Sequence, residues 1–333
     1  MDKRKLSLEL SLEGFDPSTF RVLKMEATEA LFEGYTVQVE AETAELVELE
    51  PLLGTKAALW IRFNQDSADR PFHGVVTEAS LEAIRPEVFR LHVAISARLE
   101  LLKLGRNSRI FQEQSIQEIV SSVLDGSGLE DGYRWALSSK PRPRANTVQY
   151  NESDFAFVSR LLHEEGIGFA VHNGEDAEQL LFFDDSTQLE PIAGDSLLVD
   201  RDSTQLDEDV IFDLRDGQSM ASDQVFLRDY DFRRPALDLS ATERADGASG
   251  REVYEHPGGF QEGAVGQQRA KRLLERLRMG TRVLSGRSSC ARLEPGRKFS
   301  VTGHGRVEAN LDLLVTLVVH RASAERDAEG QGL

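Results

Sequence analysis

Cysteine is nearly absent. Cys290 is the one thiol in 333 residues, so an internal disulfide is excluded and a cysteine metal cluster has no second ligand. Long apolar runs are also missing: none approaches the roughly 20 residues that a membrane-spanning helix needs. The N-terminal Met1-Asp2-Lys3-Arg4-Lys5 leads into alternating residues and not into a signal-peptide apolar segment, which predicts synthesis into the cytoplasm and no membrane insertion. Positive charge is scarce, with 39 Lys and Arg against 57 Asp and Glu. The formal net charge of −18 would repel a phosphate backbone and argues against nucleic-acid binding. The chain has no Gly-x-Ser-x-Gly elbow, P-loop or dinucleotide fingerprint, so no catalytic residue and no cofactor is expected.

What is present supports a β-rich α+β protein. A hydrophobic content of 40% and the chain length allow a sizeable core and two or three domains. Leu6-Ser7-Leu8-Glu9-Leu10-Ser11-Leu12 and Tyr35-Thr36-Val37-Gln38-Val39-Glu40 alternate as half-buried strands do. Phe72-His73-Gly74-Val75-Val76-Thr77 and Phe89-Arg90-Leu91-His92-Val93-Ala94-Ile95 extend the set, with turns at Gly14-Phe15-Asp16-Pro17 and Arg85-Pro86. Several short strands so punctuated predict a β-barrel over residues 1–100.

Residues 101–190 read as a smaller α+β domain. Ser115 and Glu118 form a possible capping box ahead of Ile116, Ile119, Val120 and Val123, which share one helical face. The stiff connector Lys140-Pro141-Arg142-Pro143-Arg144 leads to a second helix over about residues 152–165. Asn151 or Ser153 can cap it, Phe155, Val158, Leu161 and Leu162 form its apolar face, and Gly166 stops it before a strand at Ile167-Gly168-Phe169-Ala170-Val171-His172.

Residues 191–325 repeat the first part weakly, followed by a polar tail at 326–333. Leu49-Glu50-Pro51 recurs as Leu293-Glu294-Pro295, and Val76-Thr77 as Val315-Thr316, so Val75 to Thr77 and Val315 to Val318 are expected on equivalent strands of two related barrels. A basic helix over about 262–280 interrupts the second, with Val265, Ala270, Leu273, Leu274 and Leu277 available to pack. It belongs to a basic segment running from Arg269 to Arg306, opposed by an acidic one from Glu175 to Asp216. Such segments form solvated faces, or meet between chains; Arg269, Lys271, Arg272, Arg276 and Arg278 are the candidate interface residues.

Other motifs offer weaker chemistry. His163-Glu164-Glu165 lacks the second histidine one turn away that a zinc site needs, and suits a surface helix end. The acidic run from Asp200 to Asp209 has Gln205 where a calcium loop requires glycine. Cys290, with His304 and His320 downstream, reads as a small buried apolar residue, and Tyr254-Glu255-His256-Pro257-Gly258-Gly259-Phe260 as a constrained loop. No metal site is expected.

The run Tyr150-Asn151-Glu152-Ser153-Asp154 continuing through Phe157-Val158-Ser159-Arg160-Leu161-Leu162 to Glu164-Glu165-Gly166-Ile167 resembles the N-terminal half of the VgrG proteins, the valine-glycine-repeat spikes of type VI secretion. These are related to the baseplate hub (late control) proteins of contractile phage tails. Further matches follow in the family's order: Leu52-Leu53-Gly54-Thr55-Lys56-Ala57, Arg70-Pro71-Phe72-His73-Gly74-Val75-Val76-Thr77-Glu78 and Ile110-Phe111-Gln112-Glu113-Gln114-Ser115-Ile116. Later come Tyr230-Asp231-Phe232-Arg233-Arg234-Pro235, the 254–260 loop, Leu293-Glu294-Pro295-Gly296-Arg297-Lys298-Phe299 and Leu314-Val315-Thr316-Leu317-Val318-Val319-His320. The resemblance implies a phage baseplate hub-like fold with two barrels per chain, assembling as a homotrimer of pseudo-sixfold symmetry. It further implies a structural, non-enzymatic hub that caps a hexameric inner tube protein and carries a C-terminal or separate spike and effector proteins. Such a hub is cytoplasmic before firing, then secreted or delivered into a target cell. A stand-alone hub of a contractile phage tail is the alternative, and a tail-associated cell-wall hydrolase working through two carboxylates is the rival from another class.

Overall fold

Alternating apolar residues produce the expected strands at the N-terminus. The computed structural model describes residues 6–63, 69–200, 209–305 and 311–324, and is 49% strand and 19% helix. Strands β1 (Leu6–Leu12), β2 (Arg21–Ala30), β3 (Tyr35–Thr43), β4 (Lys56–Phe63), β5 (Arg70–Arg85) and β6 (Val88–Ser96) make one antiparallel, curled sheet in the order β1-β4-β5-β6-β3-β2. Leu10, Val37, Leu59, Phe72, Leu91 and Ile95 are buried on its inner side, each worth roughly 1.5–3 kcal/mol of apolar transfer.

Two of these strands have no clean alternation in the sequence. A bulge between Val22 and Lys24 shifts the phase of β2, and its inner face carries a buried charge, Glu29. In β4 the run Ala57-Ala58-Leu59-Trp60-Ile61 is apolar on both faces; the outward Trp60 is covered by His73 and by the Arg62 guanidinium.

The next region adds β7 (Asn107–Gln114), α1 (Ile116–Asp125), β8 (Tyr133–Ala136), β9 (Arg144–Glu152), α2 (Asp154–Glu165), β10 (Gly168–Asn173) and β11 (Glu178–Phe183). Ser115 and Glu118 close the expected capping box on α1, whose Ile116, Ile119, Val120 and Val123 are buried. Ser153 caps α2 by accepting from the Ala156 N–H, and Gly166 ends it in the left-handed region at φ 66°. The buried face of α2 is Phe157, Val158, Leu161 and Leu162, so Phe157 and not Phe155 completes it. Both aromatic rings flank the apolar stripe, and tertiary cover decides between them. The β7–β9 ribbon lays Phe111 flat on Phe157, while Phe155 stays half-buried under the Lys103 ammonium. Strands β10, β11 and β8 form a small sheet, and one continuous core runs from Leu10 in β1 to Phe182 in β11. The first sheet and the helices therefore share packing across residue 100.

The remaining chain holds β12 (Pro191–Val199), β13 (Val210–Gln218), β14 (Gln224–Asp229), β15 (Leu239–Arg244), β16 (Glu252–Glu255), α3 (Gly263–Arg278), β17 (Arg282–Ser288), β18 (Lys298–Thr302), β19 (Asp312–Leu314) and β20 (Leu317–Ser323). A five-stranded sheet has the order β17-β13-β12-β18-β19, with β12 parallel to both neighbours. The insertion is larger than a helix. Strands β15-β14-β16 form a separate sheet on which α3 packs Ala270 and Leu274 against Val225, Leu227, Leu239 and Ala241.

The final strand departs from expectation. Instead of completing the 191–325 region, β20 pairs with β2 and becomes the seventh strand of the first sheet. The expected equivalence of Val315 to Val318 with Val75 to Thr77 fails, because that segment straddles two sheets. Val315 bonds through its N–H to the Arg297 carbonyl and through its carbonyl to the Gly296 N–H, whereas the Thr316 carbonyl already accepts from the Leu31 N–H. Arg306, most of the acidic Asp200-to-Asp209 run and the 326–333 tail lie outside the described residues.

Candidate functional site

Two polar assemblies stand out, one buried and one open. The buried one joins the three regions. Arg70, at the start of β5, points inward beside Phe72 and places Nη2 2.6 Å from Glu29 Oε2 and Nη1 2.7 Å from Glu294 Oε1. Glu294 also accepts from the Asn173 N–H of β10 at 2.9 Å and lies 3.4 Å from Arg297 Nε. His320 of β20 sits with Nε2 3.3 Å from Glu29 Oε1 and 3.0 Å from the Leu293 carbonyl.

Burial would raise the Glu294 carboxyl, but the Arg70 charge, His172 and the Asn173 N–H outweigh it and hold the pKa below its ordinary value. Arg70 moves the other way: the two glutamates overcome its burial and keep it charged. Close by, Tyr35 donates from its hydroxyl to the His73 carbonyl, with Asn173 Oδ1 at 2.9 Å and Glu178 Oε2 at 3.1 Å. Burial lifts the Glu178 carboxyl, although Arg98 partly opposes this through its N–H and guanidinium. Three of the runs that carry the family resemblance thus meet here through Arg70, Glu294 and His320. Their shared role is to fasten modules together. The available signal was charge at inward-facing strand positions: Glu29 follows Met25 and Ala27 on one face, and Arg70 precedes Phe72.

The open assembly is a cleft of about 600 Å³ between α2 and α3. Ala156, Ser159, Arg160 and His163 line it from α2, and Arg269, Arg272, Leu273 and Arg276 from α3. The same i, i+3, i+4, i+7 spacing on both helices creates two facing stripes. Arg144 closes one side, and the Glu255 to Gly259 segment closes another. The five candidate interface residues consequently divide. Arg269, Arg272 and Arg276 face the cleft; Lys271 is exposed and 3.9 Å from Glu275, and Arg278 sits in the last turn, where its charge suits the helix dipole. Arg272 pairs within the chain, 3.3 Å from Glu165. Arg269 donates to the Gly258 carbonyl, and its burial, reinforced by the charges of Arg144 and Arg272, lowers its pKa. Burial and the Arg276 charge likewise lower His163 and favour its neutral form.

The remaining motifs are structural. In His163-Glu164-Glu165 the two carboxylates pair with Arg144 at 2.5 and 2.6 Å, and no metal-binding cluster occurs among the described residues. Cys290 is buried and its thiol is pushed up to about 11 by desolvation, which removes the thiolate that a nucleophile requires. Of the expected Tyr254-to-Phe260 loop, Tyr254 and Glu255 are the end of β16, paired with β14; the turn that follows is held by Asp229, whose Oδ2 accepts from the Gly259 and Phe260 N–H groups, and it delivers Phe260 to the core under α3.

Comparison with known proteins places these features in context. The family model "Phage tail baseplate hub (GPD)" matches residues 28–326. The type VI secretion system spike protein VgrG4b of Pseudomonas aeruginosa is 32% identical over 320 residues, covering 93% of this chain and 39% of that protein. The actin cross-linking toxin VgrG1 of Vibrio cholerae is 28% identical, with coverages of 98% and 31%. The chain thus spans about two fifths or less of the length of these curated relatives. Among solved structures, the E. coli c3393 protein, a type VI secretion component with structural similarity to the T4 tail proteins gp27 and gp5, superposes with a TM-score of 0.71 at 22% identity, covering 96% of this chain and 74% of that one. A 43 kDa tail protein of prophage MuSo2 from Shewanella oneidensis gives 0.66 at 12% identity, with coverages of 96% and 95%. At these identities the superpositions establish the fold.

Proposed function

Because the chain belongs to the phage tail baseplate hub family, we propose that it is the structural hub of a type VI secretion tip. In this reading three copies form a ring that caps a hexameric inner tube and carries spike and effector proteins. Assembly takes place in the cytoplasm, and firing delivers the hub with the apparatus. The observation that carries the reading is similarity to a named spike protein across 93% of the chain, on a hub fold.

The physical features suit adhesion. Strand β17 is the end strand of the five-stranded sheet and is largely exposed, with Val283 48% accessible and Met279 beside it 57% accessible. An end strand with free backbone groups and apolar side chains gains by pairing with another chain. Closed threefold symmetry would bury three such surfaces at once.

Molar mass in solution tests the proposal. Light scattering on the full chain should give a trimer, alone or once a matching hexameric tube protein is added. A chain that stays monomeric in both conditions would overturn the ring.

A further inference from the structure

We infer that the cleft between α2 and α3 is a recognition site for the carboxylate side chains of an acidic segment of another protein chain. This is independent of the ring and of tube capping. In a chain with a net charge of −18, five arginines but only two glutamates line this one cavity. Three of those arginines are already engaged. Arg144 pairs with Glu164 and Glu165, Arg160 with Glu152 and Glu164, and Arg272 with Glu165.

The unengaged groups carry the inference. Arg276 has no carboxylate partner among the described residues, and Arg269 donates to the Gly258 carbonyl and makes no ion pair among them, although Glu164 and Glu165 partly offset the repulsion of Arg144 and Arg272. On the opposite wall, the Ser159 hydroxyl is buried and makes no hydrogen bond to any described residue. A buried hydroxyl without a partner is unfavourable, and guanidinium groups crowded together repel one another; a negatively charged acceptor seated between the helices relieves the repulsion, and gives the hydroxyl a partner once it turns toward the cleft. A carboxylate meets that need. Its single charge tolerates Glu164 and Glu255 in the wall, which disfavour a phosphate dianion. The volume admits a few side chains and is too small for a base-paired helix.

Helix α3 supplies its own control, since Lys271 and Arg278 are equally cationic and do not line the cleft. The experiment is fluorescence anisotropy of a labelled hexaglutamate peptide on the full chain, with inorganic phosphate as competitor. Arg276→Gln should weaken peptide binding by about tenfold, and Ser159→Ala by about threefold. The double variant Lys271→Gln/Arg278→Gln, which removes more charge than Arg276→Gln, should stay within about twofold of the parent. Arg276 makes no ion pair among the described residues and alanine favours a helix, so neither cleft variant should unfold below the parent temperature. Absence of saturable peptide binding would overturn the site. So would equal weakening by the outer double variant, which marks diffuse attraction, or tighter binding of phosphate than of peptide.

Discussion

Leu49-Glu50-Pro51 and Leu293-Glu294-Pro295 are the same three residues in two regions of the chain, and their glutamates have opposite surroundings. Glu50 opens a short 3-10 turn, exposed to solvent. Glu294 is 5% exposed and holds Arg70, Asn173 and Arg297 together. A repeated tripeptide can specify a turn, but burial and partners come from whatever the rest of the fold brings opposite. The regions around them differ in the same sense. The first sheet and the middle helices share one continuous apolar core, whereas the last region has two smaller clusters, one under α3 and one around Ile192, Leu197 and Val301. It is joined to the rest by the buried ion network, by the strand it contributes to the first sheet, and by a small apolar cluster in which Leu314 packs against Leu31, Ala170 and Leu181.

Removing the charge is the strongest way to test that contrast. Glu294→Ala leaves Arg70 buried with only Glu29 opposite, and should cost about 3–5 kcal/mol in chemical denaturation. Leu161→Ala, in the shared core, should cost roughly 2–5 kcal/mol through lost packing and a residual cavity. Leu274→Ala affects a small separate cluster, so its effect should be local: hydrogen exchange should accelerate between residues 224 and 278 while β3 and β6 stay protected. Exchange rising equally in β3 would show that the insertion is no separate cooperative unit.

Acid provides a gentler test. The folded Glu294 pKa lies below 4.5, so its stabilisation is fully present above that pH and is lost as pH falls through the folded value. Glu178 has the opposite sign, because burial raises it and protonation relieves the cost of a buried charge. Glu294→Gln should therefore flatten the acid limb of the stability curve, and Glu178→Gln should steepen it. Smallest of all, Glu50→Ala should change stability by no more than about 0.5 kcal/mol; a larger loss would undo the contrast between the two tripeptides.

Local signals were legible wherever the chain solves its problem with its own neighbours. The capping box of α1, the Ser153 cap and Gly166 stop of α2, four strands of the first sheet and the extent of α3 all follow from short-range pattern. Long-range solutions were hidden. The bulge in β2 breaks the alternation, Glu29 falls on the apolar face of its strand with its partner Arg70 41 residues away, and nothing near Thr316 announces a change of sheet. The cleft was half legible. Three of its five arginines belong to the basic stretch of α3 that the sequence offers as an interface, but only the packing of α3 beside α2 brings in Arg144 and Arg160 and separates Arg269, Arg272 and Arg276 from Lys271 and Arg278.

The pairing of β20 with β2 also sets a clock on biogenesis. Arg321 meets Glu26 across 295 residues of sequence, so β2 emerges from the ribosome long before the strand that covers it. At ordinary translation speeds the wait is on the order of 15–60 s, far longer than a hairpin takes to form. During that interval β2 is a bare sheet margin, the kind of surface that recruits neighbouring nascent chains. Arg21, Lys24 and Glu26 project from its exposed side and would discourage such pairing until the last strand arrives. Ribosome-stalled chains ending before Leu317 should consequently depend more on chaperones than those that include Ser323.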